Sequence, residues 1–370
     1  MNIALDARLA YYRRYSGIGQ YIVHLAELLP ALDPDHAYTI IHSRKDRTTP
    51  SGGARARWWS AWTPSHHRLE QVTFPIELAR RSIDLLHSPD FIPPFRGAFR
   101  RVITVHDLNF LYYPQFLTAA SRRYYNDQIE RAVAIADHIL TDSRVTQLDL
   151  IKLLNVPADK ISAVWLAPDR IFRVLAPPDR AAAGARLQLP DRFILFTGTL
   201  EPRKNVAGLL RAYRRLRDRT AQPPPLLLAG SRGWLFAETQ SLITQLNCDQ
   251  HVRWIDSPPV ADLVALYNAA SVCVLPSYYE GFGLTALEAM ACGTPTIISD
   301  RGSLPEIAGG AALVIDPDDT DALADALARV LDDDQLRADL KHKGWRRVLD
   351  FSWERCARAT LAVYQQALSQ

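Results

Sequence analysis

The chain has 370 residues, which at a typical domain length of roughly 150 predicts two domains, each able to bury its own core. A composition of 48% hydrophobic, 22% charged and 9% aromatic residues excludes a disordered chain. The formal charge of +3, from 43 basic and 40 acidic residues, argues against a dedicated nucleic-acid binder, which needs a strongly basic face.

Short β-branched or leucine-rich runs alternate with amphipathic stretches, the pattern of parallel sheets with crossover helices. The first series opens with a strand at 2–5. A loop ending Ser16-Gly17-Ile18-Gly19 follows, then a helix with Ile18, Tyr21, Ile22, Leu25, Leu28 and Leu29 at helical spacing. Further strands are predicted at 38–41, 85–87, 102–105, 138–141 and 161–166, with helices near 121–136 and 145–154. Ala176-Pro177-Pro178 and the alanine-rich stretch after it read as a linker. From Arg192 a second series predicts strands at 193–197, 226–229, 252–255, 272–275, 296–298 and 312–315, each followed by a helical pattern. The expected fold is α/β, with two Rossmann-like doubly wound domains whose strand carboxyl ends face each other across a cleft, where ligands bind. The division is 1–172 and 173–350, with a last helix in 351–370 crossing back to the first domain.

The four cysteines, Cys248, Cys273, Cys292 and Cys356, are widely spaced and read as reduced core residues. The start of the chain has no basic region leading into an apolar run, and no stretch of about 18 apolar residues occurs, so the expectation is a cytoplasmic protein.

The most specific segment runs from Pro276 to Pro295. Here Glu280-Gly281-Phe282-Gly283-Leu284-Thr285 passes from a buried strand into an apolar helix carrying Glu288. Gly281 and Gly283 allow a ligand close to the backbone, and the first N–H groups of the helix suit a phosphate or sugar oxygen. Glu288, among Ala286, Leu287, Ala289 and Met290, must meet something polar, since a buried carboxylate without hydrogen bonds is costly. A second cluster, Gly198-Thr199-Leu200-Glu201-Pro202-Arg203-Lys204-Asn205, follows a strand and opens a helix. Cations at a helix N-terminus oppose the macrodipole, so Arg203 and Lys204 call for an anion nearby, and the pair suits a diphosphate.

Arg203-Lys204 after Gly198-Thr199, with Glu280-x7-Glu288 and Ala289-Met290-Ala291-Cys292-Gly293-Thr294-Pro295, resembles the retaining glycosyltransferases of the GT-B fold, family four. The resemblance implies that Glu280 lies at the donor sugar, that Glu288 binds the ribose, and that Arg203 and Lys204 bind the nucleotide diphosphate. It further implies that Gly17 and Gly19 lie by the donor phosphates, and that His106, in Thr104-Val105-His106-Asp107-Leu108, flanks the reacting carbon. The loop from Asp6-Ala7-Arg8 to Gly19 is most like the branch that builds bacterial surface polysaccharides, often from GDP-mannose. Leu166-Ala167-Pro168-Asp169 replaces the family's glycine-bearing turn, and Asp169 is left outside the site.

The implied activity is a retaining hexosyl transfer from a nucleotide-sugar to a glycan or lipid-linked acceptor. The leaving charge would be met by Arg203, Lys204 and the N–H groups near Gly17 and Gly19, so no metal cofactor is expected. Asp316-Pro317-Asp318 and Asp33-Pro34-Asp35 mimic a metal-binding pattern but read as turns. The alternatives are a UDP-sugar donor, a nucleotide-sugar epimerase and a non-catalytic sugar-nucleotide-binding subunit. Residues 44–101 hold eleven Lys or Arg against five acids. Within them, Arg55-Ala56-Arg57-Trp58-Trp59-Ser60-Ala61-Trp62 reads either as a contact with the acceptor or with an anionic inner-membrane face, or as a loop whose indoles pack on the first domain.

Overall fold

The computed structural model describes residues 1–10, 17–45, 56–116, 119–233 and 236–369. Ser16 and Arg55, from two of the motifs above, lie outside the described residues. The chain forms two compact units, Met1–Leu166 with Phe351–Gln370, and Ala167–Asp350. The sequence reading placed the first of these boundaries after 172.

Unit 1 holds a seven-stranded parallel sheet: β1 (Asn2–Asp6), β2 (Ala37–Ser43), β3 (Ala56–Ala61), β4 (Leu85–Ser88), β5 (Arg100–Val105), β6 (His138–Thr141) and β7 (Ile161–Ala163), ordered β3-β2-β1-β4-β5-β6-β7. Helices cover both faces of such a sheet, so its central strands are apolar throughout rather than alternating. Ile3, Leu5, Leu86, Ile103, Val105 and Ile139 are fully buried.

Strand β3 corrects the reading of 55–62 as a loop. It is an edge strand paired in register with β2, from Tyr38 opposite Ala56 to Ser43 opposite Ala61. The Arg57 and Ser60 side chains are exposed and Trp58 and Trp59 are half-buried, so neither face of this edge strand is fully covered. The Arg81 guanidinium lies 4.1 Å from the centre of the Trp59 ring. Of the three tryptophans, only Trp62, just beyond the strand, is largely exposed. Gly17, Ile18 and Gly19 are likewise not loop but the first turn of the helix Gly17–Leu32.

The helix Trp353–Ser369 belongs to unit 1 and is tied to its sheet by a buried chain of polar groups. Tyr364 Oη lies 2.6 Å from His87 Nδ1, and Thr104 Oγ1 lies 2.8 Å from His87 Nε2 and 3.0 Å from Tyr21 Oη. Burial, reinforced by the charge of His106, lowers the His87 pKa to about 3, so this ring is neutral.

Unit 2 holds a six-stranded parallel sheet: β8 (Ile194–Thr197), β9 (Leu226–Gly230), β10 (Val252–Asp256), β11 (Val272–Leu275), β12 (Thr296–Ser299) and β13 (Leu313–Ile315), ordered β10-β9-β8-β11-β12-β13. The stretch read as a linker is instead the exposed helix Pro177–Leu187. Its first residue is a proline, whose missing N–H would have no partner inside the helix there anyway. All four cysteines are free and buried. In each sheet the strand order reverses at one strand, β1 in unit 1 and β8 in unit 2. The crevice at the carboxyl ends beside such a reversal is where doubly wound sheets bind ligands.

Candidate active site

In unit 2 the reversal brings the loop after β8 beside the loop after β11. Gly198, at φ +139°, turns the chain out of β8, and Pro202–Lys204 form one short 3-10 turn. Asn205 then caps the helix Val206–Arg219, its Oδ1 accepting from Gly208 N at 3.1 Å. Arg203 and Lys204 therefore lie immediately before the helix, at its N-terminal end.

The basic pair does meet an anion, and that anion is Glu280. Lys204 Nζ donates to Glu280 Oε1 at 2.6 Å, and Arg203 reaches Glu280 Oε2 at 3.1 Å and Glu201 Oε1 at 2.7 Å. Ser277 Oγ adds a 2.7 Å hydrogen bond to Glu280 Oε1. Burial pushes the Glu280 carboxyl up, but Lys204 and then Arg203 outweigh it and hold the pKa at about 2. The loop is shaped by Ser303, whose Oγ lies 2.9 Å from the Glu280 carbonyl and 2.7 Å from that of Phe282.

Gly281, Phe282 and Gly283 are buried, while Leu284 and Thr285 open the helix Leu284–Ala291 half-exposed. Gly283 caps it at φ +99°, a left-handed backbone conformation that favours glycine. Thr199 Oγ1 lies 3.2 Å from Ser231 Oγ.

Glu288 finds its polar partner in Tyr267, on the helix Val260–Ala269, whose hydroxyl donates to Oε2 at 3.0 Å and lies 2.8 Å from Thr197 Oγ1. Burial raises the Glu288 carboxyl, Tyr267 lowers it and the charge of Asp169 raises it again, leaving a pKa of about 7. Asp316 and Asp318 both accept from Arg301, at 2.8 and 3.3 Å, and form a turn with Asp318 N bonded to Asp316 Oδ1.

In unit 1, Gly17 and Gly19 supply the N-terminus of their helix, with Gly17 exposed and Gly19 buried. His106 follows β5 with its side chain 14% exposed. Its Nδ1 lies 2.7 Å from Asp142 Oδ2 and its Nε2 lies 2.9 Å from the Pro89 carbonyl.

Residues 180–347 match the family described as glycosyl transferases group 1, and residues 15–167 match that described as glycosyltransferase family 4. Over 282 residues the chain is 36% identical to O-antigen chain mannosyltransferase B of Escherichia coli, spanning 76% of this chain and 74% of that protein. The chain belongs to the group 1 glycosyltransferases. It is also 34% identical over 254 residues to a D-inositol 3-phosphate glycosyltransferase of Saccharomonospora viridis, covering 65% of this chain and 58% of that one. In fold, the glycosyltransferase matches sucrose-phosphate synthase of Thermosynechococcus elongatus at a TM-score of 0.80 and 24% identity, over 100% and 99% of the two chains. It matches Anabaena HepE in complex with UDP and glucose at 0.77 and 16%, over 99% and 100%.

Three groups around this glycosyltransferase's site residues escaped sequence reasoning. Tyr267 sits in an apolar helix where an aromatic ring reads as core, and Ser277 looked like a mere strand-end residue. Asp142, which engages His106, precedes the Ser143 cap of the helix Arg144–Leu154 and resembles an ordinary helix-start acid. Asp169, set aside at first, acts on Glu288 through its charge.

Proposed function

We propose that this glycosyltransferase moves mannose from GDP-mannose, with retained configuration and without a metal ion, to a glycan or lipid-linked acceptor in cell-surface polysaccharide or glycolipid synthesis. The observation that carries the reading is the 36% identity to an O-antigen chain mannosyltransferase across three quarters of both chains. The cluster of Arg203, Lys204 and Glu280 agrees with it chemically.

In this reading the donor diphosphate takes over Arg203 and Lys204 from Glu280, which then turns its carboxylate to the sugar hydroxyls. Glu288 accepts from the ribose. The bond between the anomeric carbon and the phosphate oxygen breaks, the acceptor oxygen bonds to that carbon on the same face, and the acceptor proton passes to the leaving phosphate. Arg203 and Lys204 oppose the charge that builds on the diphosphate, the work a metal would otherwise do.

Thermal unfolding with GDP, UDP or ADP, each with EDTA, tests the donor. At 100 times the dissociation constant a ligand adds about 2.7 kcal/mol, a shift of several degrees for units of this size. A GDP-selective shift is expected. A UDP-selective shift would replace the donor, a second reading favoured by the likeness in fold to HepE, solved with UDP-glucose. Acceptor-dependent release of free nucleoside diphosphate separates a transferase from an epimerase and from a binding subunit, and the anomeric configuration of the product tests retention.

The proposal includes a peripheral contact with an anionic bilayer on the cytoplasmic side. No helix among the described residues is long and apolar enough to cross a membrane. The contact falls to Trp62 and the helix Glu70–Leu78 rather than to the packed strand β3. Trp62, Leu69, Val72 and Ile76 are 76, 52, 60 and 59% exposed, beside a cavity of about 740 Å³ lined by Trp59, Trp62, Leu69, Ile76 and Arg81. Arg57, Arg68, Arg80 and Arg81 are exposed along this stretch. Its acids turn inward, Glu70 to Arg8 and Glu77 to the backbone N–H groups of Trp62 and Thr63. An apolar stripe with a cationic border suits anionic headgroups. Sedimentation with phosphatidylserine-containing vesicles should exceed that with neutral vesicles and fall at least tenfold in Trp62→Ala/Ile76→Ser. Equal binding to both vesicle types would remove this part of the reading.

A further inference from the structure

Both ring nitrogens of His106 face oxygens, and with Asp142 ionised both of these oxygens can only accept. Nε2 lies 2.9 Å from the Pro89 carbonyl and Nδ1 lies 2.7 Å from a carboxylate oxygen of Asp142. A neutral imidazole carries one N–H, so one of these oxygens would face a lone pair across a hydrogen-bond distance. Both contacts are satisfied together only when both nitrogens carry hydrogen. Burial raises the Asp142 carboxyl above its ordinary value, the charge and the hydrogen bond of His106 oppose this, and its place in the chain favours the ionised form. It stands one residue before the Ser143 cap of the helix Arg144–Leu154, whose N-terminal dipole favours an anion. Asp142 itself is only 4% exposed, which strengthens its attraction to the ring.

We infer that Asp142 is a positioning residue of the transfer reaction: with the Pro89 carbonyl it holds the His106 ring doubly protonated, so that this histidine is a fixed cation and takes no part in proton transfer. The inference rests on the transferase reading, in which His106 takes the family's histidine position.

The surroundings agree. Burial opposes the charge on His106, but Asp142, then Asp90 and the Pro89 carbonyl outweigh it and raise the pKa to about 9. Asp90, after β4, bonds to His66 Nε2 at 2.6 Å, and Asp107 follows His106 directly. From the other packed elements the ring meets His87, kept neutral, and Tyr21, edge-on with centroids 5.4 Å apart. Cys356, on the helix Trp353–Ser369, acts electrostatically with Asp142, and burial first, then Asp142, holds its thiol protonated. The groups that raise the ring's pKa are thus two carboxylates and a carbonyl, against burial alone. The acceptor proton then has no histidine to receive it and leaves on the phosphate oxygen, while the new bond from acceptor oxygen to sugar carbon replaces the sugar–phosphate bond.

The test pairs nitrogen NMR of the His106 ring with kcat and KM between pH 6 and 8, in the full-length wild type and in Asp142→Asn. In the wild type both ring nitrogens should stay protonated over this range, and kcat should show no histidine titration. In Asp142→Asn the side-chain amide can donate to a deprotonated Nδ1, so the ring keeps its place but loses its charge near the ordinary histidine pKa of roughly 6.5. The charged fraction then drops about 25-fold from pH 6 to 8, and kcat should fall at least tenfold with it, while KM for the donor moves little. A wild-type ring that titrates between pH 6 and 8 would overturn the inference whatever the variant does. So would an Asp142→Asn enzyme whose kcat follows the wild-type profile. Failure of the wild type to transfer from any nucleotide-sugar would instead refute the transferase reading, and the role of Asp142 with it.

Discussion

In the proposed ribose-binding role of Glu288, its pKa of about 7 would couple nucleoside binding to pH in a way that can be worked out from the structure. Ribose hydroxyls donate their hydrogens, so the ionised carboxylate is the form that holds them. Between pH 8 and 5.5 the ionised fraction of a group with this pKa falls about 30-fold, each full unit below it approaching the tenfold, 1.36 kcal/mol limit. Guanosine affinity should fall by that factor, measured by calorimetric titration with the nucleoside rather than the diphosphate so that no phosphate titrates alongside. Stability moves the other way. The folded pKa lies above the ordinary 4.5, so the folded chain holds this proton more tightly than the unfolded chain does. The resulting stabilisation is complete below about 4.5 and lost as pH rises through 7, a loss of about 3 kcal/mol. Glu288→Gln should therefore be more stable than wild type at pH 8, bind guanosine more weakly there, and show no pH dependence of binding. A wild-type guanosine affinity that stays level from pH 5.5 to 8 would refute the ribose role, and an equal slope in Glu288→Gln would assign the titration to another group.

Lys204→Ala should weaken nucleoside diphosphate binding far more than nucleoside binding in paired titrations, and equal losses would exclude a diphosphate role. The same variant leaves Glu280 with one fewer cation and should lose roughly 1–3 kcal/mol, part of which Lys204→Ala/Glu280→Gln recovers in urea unfolding. Arg8, 1% exposed, bonds to Asp6 at 2.6 Å and Glu70 at 2.6 Å, and its guanidinium lies 3.5 Å from the Phe74 ring centre. Arg8→Met should cost about 3–5 kcal/mol by leaving two buried carboxylates unpaired. Added Asp6→Asn and Glu70→Gln should restore most of it, and a loss under about 1 kcal/mol in Arg8→Met would show that the ion pairs are not what holds this corner. Tyr364→Phe should lower unit 1 stability by about 1–3 kcal/mol, since it strips His87 Nδ1 of its partner inside the core. An unchanged urea midpoint would mean the helix Trp353–Ser369 is held by apolar packing alone.

Hydrophobic periodicity and the glycines at strand ends were enough to read the two doubly wound sheets from sequence. Strands such as β8 and β11 come within a residue of their observed limits, because a buried parallel strand is a local apolar run whose ends are marked by turn residues. The Glu280-to-Glu288 segment was legible for the same reason, being a continuous strand, loop and helix. Other elements were not, among them a strand and a helix. Strand β3 mixes arginine with tryptophan, and only its pairing with β2 makes it a strand. The helix Pro177–Leu187 buries none of its residues, so it lacks the apolar stripe that marks a helix in sequence. The polar partnerships were beyond the sequence altogether. Lys204 and Glu280 are 76 residues apart, His106 and Asp142 36, Tyr267 and Glu288 21, and His87 and Tyr364 277. Residue type and spacing along the chain determined which side chains could bind a diphosphate or a ribose. Which charge each of them meets, and so its protonation, was decided by the sheet order that brings distant loops to the same strand ends, since attraction and desolvation depend on separation in space rather than along the chain.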